Sequence, residues 1–307
     1  MNLDNVKIPS PMFGLIEYLN DYHEDKIQNT NLEFLIKNLT THFYKLIYSI
    51  TNLSEIQSDK DLFKKYNSSG IVLAQPTEYC FYKISTIRDI AYQIADKLID
   101  FSSERNTYNL ENPKKEMTRY SFLSYKFEKY NNTQSTQISI DWFKNINKIR
   151  NKIVHGGINI MPFYLEDKEL ACFQAYDKNL EAIIPIDYYY SNRYNNNINY
   201  TDNFFGLYAH ALYSYLTEFF SFVISELSCP ERPYNHSDGV IFLDYEVPYK
   251  WWYIGGEDFE QLKKITRKII LLKKSDGYSM NQFEIDDPNL KAICLKNSFR
   301  LISDAEF

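Results

Sequence analysis

The sequence predicts a mainly α-helical fold: a bundle of four long helices, with a small β insertion before the last of them and a mixed C-terminal extension. Glycine and proline are scarce, at 9 and 10 in 307 residues, which favours long helices over a turn-rich β fold. Apolar residues also recur at three- and four-residue steps in several long segments, which is the period of an amphipathic helix. With 44% hydrophobic residues, the chain can build a sizeable core.

The first two long helices are expected at residues 31–53 and 77–102. Residues 54–76 between them are polar and end in Ser-Ser-Gly, which is typical of a loop. Thr77 is placed to cap the second helix, with Glu78 in its first turn. The apolar positions that predict the first helix are Leu32, Leu35, Ile36, Leu39, Phe43, Leu46, Ile47 and Ile50.

The third long helix is expected at residues 137–155, where isoleucine and phenylalanine line one face. Gly156 and Gly157 should end it, because glycine is the usual residue just past a helix. Two shorter helices are expected at residues 12–27 and at about 114–126, the latter inside a mostly polar stretch.

The β insertion is expected at residues 158–202. Runs of apolar and aromatic residues predict strands at 159–165, 170–176 and 182–188, followed by an Asn/Tyr-rich loop at 191–202.

The fourth long helix is expected at residues 203–228 and is apolar nearly all round, as is typical of a buried helix. Beyond it we expect strands at 240–247 and 250–254 and a basic amphipathic helix near 257–274. The chain is therefore divided into an N-terminal lead (1–30), a helical core (31–228) and a C-terminal extension (229–307).

Composition excludes several classes of protein. No run of about 18 apolar residues is present, so no membrane helix is expected. The N-terminus lacks the basic and apolar regions of a secretory signal, and the four cysteines are scattered, which favours a cytoplasmic protein with reduced thiols. Phosphate-binding, dinucleotide-binding and nucleophile-elbow motifs are absent, as is metal-ligand spacing, so neither a cofactor nor a metal is expected.

The stretch Arg150-Asn151-Lys152-Ile153-Val154-His155 brings chemically useful side chains together at the end of the third long helix. Histidine is suited to moving protons near neutral pH, and arginine to gripping a phosphate through two parallel hydrogen bonds. On an ideal helix, positions 150 and 155 lie about 140° apart, so they share a face only if the glycines release His155. Metal-independent RNA cleavage needs this pair, because a base must activate the 2′-hydroxyl and a cation must stabilise the charged phosphate.

These residues resemble the R-x4-6-H motif of the HEPN-domain superfamily, and the resemblance covers roughly residues 31–228. It implies a helical bundle and a metal-independent endoribonuclease of toxin–antitoxin, abortive-infection or antiviral-defence systems. Arg150 and His155 would be the catalytic pair, Asn151 would orient them, and Arg88-Asp89 resembles a polar pair on an earlier core helix. Because the chain carries one motif and such sites are usually composite, a homodimer is implied.

The resemblance also bears on partners and regulation. RNA is the expected substrate, and an antitoxin or other defence-system protein is a further expected partner. Lys144, Lys148 and Lys152 join Arg150 in a locally basic helix on a chain of net charge −6, which favours contacts with RNA phosphates. Toxins of the superfamily that are silenced by nucleotide transfer carry Tyr two residues after the His. Gly157 stands there, so such silencing is not supported.

Simpler interpretations stay open for the same residues. His155 is also typical of a histidine that interacts favourably with the carbonyl end of a helix dipole, and Arg150 of an ion pair with a core carboxylate such as Asp89. The lysines would then form a solvated helix face. His210, in the most apolar helix, is more typical of a core histidine than of a ligand. The alternative function is a non-catalytic HEPN-like module that binds RNA or a protein.

Overall fold

The structure is a computed structural model that describes residues 8–9, 11–27, 30–56, 59, 61–62, 69–134, 140–158, 160–165, 170–174, 198–233 and 253–254. The helices in these ranges are α1 (Phe13–Tyr22), α2 (Glu24–Ile27), α3 (Thr30–Ile56), α4 (Ser69–Leu98), α5 (Ser102–Glu111), α6 (Arg119–Thr133), α7 (Asp141–Val154) and α8 (Thr201–Leu227), with a 3₁₀ turn at Pro113–Lys115. The strands are β1 (Ile8–Pro9), β2 (Met161–Leu165), β3 (Leu170–Gln174), β4 (Ile198–Tyr200) and β5 (Tyr253–Ile254). The predicted mainly α class is confirmed for the described residues.

The chain divides into two compact units, each assembled from separate segments. Unit 1 comprises Met1–Thr41, Arg88–Ile138 and Tyr213–Gly255. Unit 2 comprises His42–Ile87, Ser139–Leu212 and Gly256–Phe307. The division into lead, core and extension stays a prediction.

Helices α3, α7 and α8 confirm the predicted long helices at 31–53, 137–155 and 203–228 to within a few residues. Most of their predicted apolar positions are buried, because the three- and four-residue period places them on one face, whereas Leu35 is half-buried. Buried positions in α3 are Leu32, Ile36, Leu39, Phe43, Leu46, Ile47, Ile50 and Leu53. None of the described helices combines the length and hydrophobicity that a membrane span needs.

The predicted start of the second long helix is wrong, since α4 begins at Ser69 rather than at residue 77. Thr77 is not a cap. It is buried inside the helix, and its Oγ1 donates to the Leu73 carbonyl at 2.6 Å. Pro76 also lies within α4, although proline removes a backbone donor there. Burial of Leu73 and Cys80 on either side shows that packing overrides the local helix-breaking signal.

The predicted end of that helix is wrong as well, because α4 stops at Leu98 rather than at residue 102, and α5 follows in a stretch predicted to be mostly polar. Helix α5 has no buried residue, so it lacks the apolar period that would have revealed it. The Asp100 carboxylate accepts from the Ser102 amide at 2.9 Å at its start. Helix α6 begins at Arg119 rather than at the predicted 114, and the Thr118 hydroxyl caps it by accepting from the Ser121 amide.

Strands β2, β3 and β4 form an antiparallel sheet in unit 2, in the order β2-β3-β4. Strands β2 and β3 confirm two predicted strands, whereas β4 corrects the loop expected at 191–202. Pairing with β3 explains the difference, since Tyr200 of β4 lies opposite Cys172 and Ile198 lies opposite Gln174. The strands predicted at 182–188 and 240–247 and the helix near 257–274 lie outside the described residues.

Unit 1 contains a second, short antiparallel pair, in which Ile8 is opposite Ile254 and Pro9 opposite Tyr253. This pair confirms the end of the strand predicted at 250–254. The Tyr18 hydroxyl of α1 donates to the Leu227 carbonyl at 3.0 Å, at the end of α8. The predicted N-terminal lead therefore contains an ordered helix with a buried face.

Each unit has an aromatic core. In unit 2, Phe81 contacts the rings of Phe173, Phe204 and Phe205, with centroids 4.9–6.0 Å apart. In unit 1, the Phe219 ring stacks on Tyr92 at 4.9 Å and meets Phe127 edge-on at 5.3 Å. Aromatic pairs at such distances add to the free energy gained from burial alone. The abundance of phenylalanine and tyrosine is thus used largely for packing.

The end of α7 is a glycine-dependent helix stop, as predicted. Gly156 has a φ of +68°, in the left-handed region. Its amide donates to the Ile153 carbonyl at 3.2 Å, and the Gly157 amide donates to the Lys152 carbonyl at 2.7 Å. This is the Schellman arrangement, which satisfies carbonyls that a helix end leaves unbonded.

Replacing Gly156 tests this helix stop. We expect Gly156→Ala to lower the free energy of unfolding by about 1 kcal/mol, because a Cβ is disfavoured at positive φ. Gly157→Ala is the matched control, since its Cβ would meet Lys152 at an ordinary 3.7 Å. Its change should stay within about 0.5 kcal/mol. Urea denaturation of both variants provides the comparison, and equal losses would contradict the assignment.

Candidate functional site

Helix α7 carries the predicted site and is amphipathic. Phe143, Ile146 and Ile149 are buried on one face, each at 2% exposure or less. Lys148 and Asn151 are exposed on the other side. Burial of the apolar face fixes the rotation of the helix in unit 2.

Arg150 lies at the edge of the buried face and is half-buried. Its Nη2 donates to the Asn147 Oδ1 at 3.2 Å, one helical turn earlier. The Arg150 charge also acts on Tyr82 of α4. Burial and Glu78 raise the pKa of the Tyr82 phenol, and Arg150 opposes that rise. The guanidinium is therefore hydrogen-bonded within α7, and its charge acts on the Tyr82 phenol of α4.

His155 caps the C-terminal end of α7 and is exposed. Its backbone amide still donates to the Asn151 carbonyl at 3.1 Å, so helical hydrogen bonding reaches this residue, although its φ of −96° and ψ of 11° lie outside the α-helical region. Within the described part of the chain, the imidazole has no hydrogen bond, ion pair or ring contact. Positions 150 and 155 therefore keep a helical separation of about 140°. The glycines end the helix, but they do not bring the histidine to the Arg150 side.

The predicted RNA-binding lysines differ in exposure. Lys144 and Lys148 are exposed, whereas Lys152 is half-buried, and its stem lies where a Cβ on Gly157 would touch it. Lys144 and Lys148 are four positions apart and so lie on one face of the helix. Two cations thus accompany Asn151 on the solvent side of α7.

Arg88 and Asp89 belong to unit 1 and form an ion pair, with Nη2 and Oδ1 3.3 Å apart. The Arg88 guanidinium also lies 4.9 Å from the centre of the Tyr92 ring. The Tyr92 hydroxyl in turn shares hydrogen bonds of 2.9 Å with Ser124 and with the buried Tyr215. Arg88 is therefore held by a charge pair and a ring contact, and a hydroxyl network of the same unit holds that ring in place.

A second basic group in unit 2 was not predicted from the sequence. The Lys83 Nζ of α4 lies 2.9 Å from the His42 Nδ1 of α3, and 4.7 Å from the centre of the Tyr79 ring. Burial and the charges of Lys83 and Lys45 lower the pKa of His42 from 6.5. The imidazole is then neutral at pH 7, and Nδ1 accepts a hydrogen bond from the ammonium.

Sequence spacing offered no signal for this pair, since 41 positions separate the two residues. Tyr82 was missed for the same reason. Asn147 could have been found, because it lies three positions before Arg150 on the same helix face.

The geometry supports a limited chemistry. A half-buried guanidinium held in place can bind a phosphate oxygen pair, and an exposed imidazole can accept or donate a proton. Among the described residues, no group of three or more His, Cys, Asp or Glu side chains is arranged to hold a metal ion. Cys80 and Cys172 are buried free thiols, and Cys229 is an exposed one.

Comparison with protein-family models, curated proteins and solved structures finds no match to this chain.

The His42–Lys83 contact makes stability depend on pH. Because the folded-state pKa of His42 is lowered, the unfolded chain takes up a proton first as the pH falls. The stabilisation is full above about pH 6.5 and is lost as the pH falls through the folded-state pKa. Between about pH 7.5 and 5.5, wild type should therefore lose more free energy of unfolding than His42→Gln. Urea unfolding at several pH values measures this, and parallel profiles would contradict it.

Proposed function

We propose that the protein is a metal-independent endoribonuclease of the HEPN type that acts as a homodimer. The observation that carries the proposal is the end of α7, where a held, half-buried Arg150 precedes an exposed His155. The resemblance of residues 150–155 to the R-x4-6-H motif gives this arrangement its chemical interpretation. By the same resemblance, the enzyme would serve as a toxin or as an effector of antiviral defence.

The proposed reaction is an internal phosphoryl transfer. His155 accepts the proton of the RNA 2′-hydroxyl, and the 2′-oxygen attacks the adjacent phosphorus. Arg150 donates hydrogen bonds to the non-bridging oxygens as their charge grows. The bond from phosphorus to the 5′-oxygen breaks, and that oxygen takes a proton from a water molecule. The products are a 2′,3′-cyclic phosphate and a 5′-hydroxyl, and no step uses a metal ion.

Helix geometry supports a site shared by two chains. The two side chains leave α7 in directions about 140° apart, so one phosphate is difficult to reach from both within one copy. In a twofold dimer, Arg150 of one chain can face His155 of the other, and the same contact occurs twice. Asn151, exposed between them, is proposed to orient the imidazole.

Cleavage of total RNA and of tRNA in EDTA tests the activity. Wild type should produce cyclic or 3′-phosphate ends, and Arg150→Ala and His155→Ala should each reduce the rate by at least about 100-fold. Arg150→Lys keeps the charge but loses the planar guanidinium that donates two parallel hydrogen bonds, so this variant should also cleave RNA more slowly.

Val154→Ala is the matched control for this assay, since Val154 is exposed beside His155 and takes no part in the chemistry. It should cleave at the wild-type rate. Undiminished cleavage by both Ala variants of the pair would rule out the proposed site.

Mixing the two inactive variants tests whether the site is shared. If Arg150 acts with His155 of the other chain, a mixed dimer of Arg150→Ala and His155→Ala keeps one intact site of two. Half of the dimers are mixed at equal concentrations, so about a quarter of the wild-type activity should return. Subunits are exchanged before the assay, and no recovery after proven exchange would show that each chain works alone.

One observation favours a second candidate, a non-catalytic HEPN-like module. The exposed His155 ring has no contact within the described residues that would hold it for catalysis. Such a module would bind RNA or a protein without turnover. RNA that is bound but stays intact with wild type would favour this function over the enzyme.

A further inference from the structure

The basic group around Lys83 differs from the ion pairs elsewhere in the chain. Lys83, His42 and Lys45 have no carboxylate within ion-pair distance among the described residues. No acidic side chain contributes to the pKa of either Lys83 or His42, whereas Lys83 and Lys45 both act on His42. By contrast, Lys37 of the same helix α3 pairs with Glu33 at 2.8 Å. Uncompensated positive charge on a chain of net charge −6 indicates a place for an anion.

Lys83 is held in a position from which it can donate. Its ammonium has three N–H donors, and one is directed to the neutral His42 Nδ1 at 2.9 Å. The Tyr79 ring, one turn earlier on α4, lies 4.7 Å from the same nitrogen. Contacts that restrict a lysine before binding reduce the entropy lost when it binds a phosphate. The remaining donors suit a non-bridging phosphate oxygen.

Helix α3 adds an aromatic surface to the same group. His42, Lys45 and Tyr48 follow one another at three-residue steps and so lie within about 120° of one helix surface. Lys45 is exposed, and Tyr48 is 70% exposed, among the most exposed large rings in the described residues. A flat exposed ring beside a cation is suited to stacking an unpaired base while the cation meets its phosphate.

We propose that His42, Lys45, Tyr48, Tyr79 and Lys83 form a binding surface for single-stranded RNA, with Lys45 and Lys83 on phosphates and Tyr48 stacked on a base. The choice of RNA over other polyanions as the ligand of this α3–α4 surface rests on the proposed ribonuclease function. The surface would hold the RNA substrate of that reaction. Helix α4 connects the α3–α4 surface with the candidate site, because Tyr82 directly precedes Lys83 and the charge of Arg150 opposes the rise that burial causes in the pKa of Tyr82. An RNA strand would extend along α4 from the surface towards α7.

Binding is tested separately from cleavage in a full-length His155→Ala background. The probe is a short, fluorescently labelled single-stranded oligoribonucleotide of mixed sequence, followed by anisotropy over a series of KCl concentrations. Lys45→Gln and Lys83→Gln should each reduce the slope of log K against log salt by about 0.7, the value for one phosphate contact. Tyr48→Ala should weaken binding about tenfold, and Tyr48→Phe should restore it.

The matched control is Lys37→Gln, which removes the same charge from α3 at a lysine that Glu33 already pairs. It should leave the slope unchanged. A slope reduced equally by Lys37→Gln and Lys83→Gln would overturn the proposal, because net charge alone would then explain the binding. Equal affinity for a duplex of the same sequence would also overturn it, since stacking on Tyr48 needs an unpaired base.

The two proposals can fail independently. If wild type does not cleave RNA but the Lys83 and Tyr48 variants lose binding, the α3–α4 surface stands and the ribonuclease function fails. If wild type cleaves RNA while all these variants bind as the parent does, the cleavage site stands and the α3–α4 surface is wrong.

Discussion

Burial of α8 is the constraint on which both units depend. This helix is apolar nearly all round, so its stability requires other elements to cover most of it. In unit 2, Phe204 and Phe205 pack with Phe81 and Phe173, and in unit 1 Phe219 packs with Tyr92 and Phe127. The aromatic rings of α8 thus supply the centre of each core. The amphipathic helices then have one face committed to packing, which determines the face that each presents to solvent.

Packing of the apolar face of α7 determines which of its side chains reach the surface at the candidate site. Ile146 and Ile149 fix the rotation of α7, and the remaining positions carry Lys148, Asn151 and Arg150 at or near the surface. The left-handed Gly156 then ends the helix without strain, which leaves His155 exposed at the cap. Since helical hydrogen bonding extends to the His155 amide, the arginine and histidine of one chain leave the helix about 140° apart. This separation is the physical argument for a site completed by a second chain.

Basic side chains in this protein fall into two kinds. Some are compensated, such as Lys37 with Glu33, Lys126 with Glu104 and Arg88 with Asp89. An exposed pair such as Lys37–Glu33 contributes little to stability, and a cation paired with a carboxylate offers little attraction to an anion. Lys83 instead contacts a neutral imidazole and a tyrosine ring. The contrast identifies where an acidic chain can still attract a polyanion, since local charge rather than net charge sets the potential at a surface.

Several features could be predicted from the sequence: the mainly α class, the core faces of α3, α7 and α8, strands β2 and β3, and the glycine stop after His155. These features follow from short-range periodicity and from the conformational freedom of glycine, both of which can be read locally. Other features became visible in the folded chain alone: α4 continues through Pro76 and Thr77, α5 is a separate helix, and residues 198–200 pair with β3. The fold also places Tyr82 near Arg150 and Lys83 against His42. Those contacts join residues far apart in the chain, and packing between helices, which no local pattern encodes, brings them together.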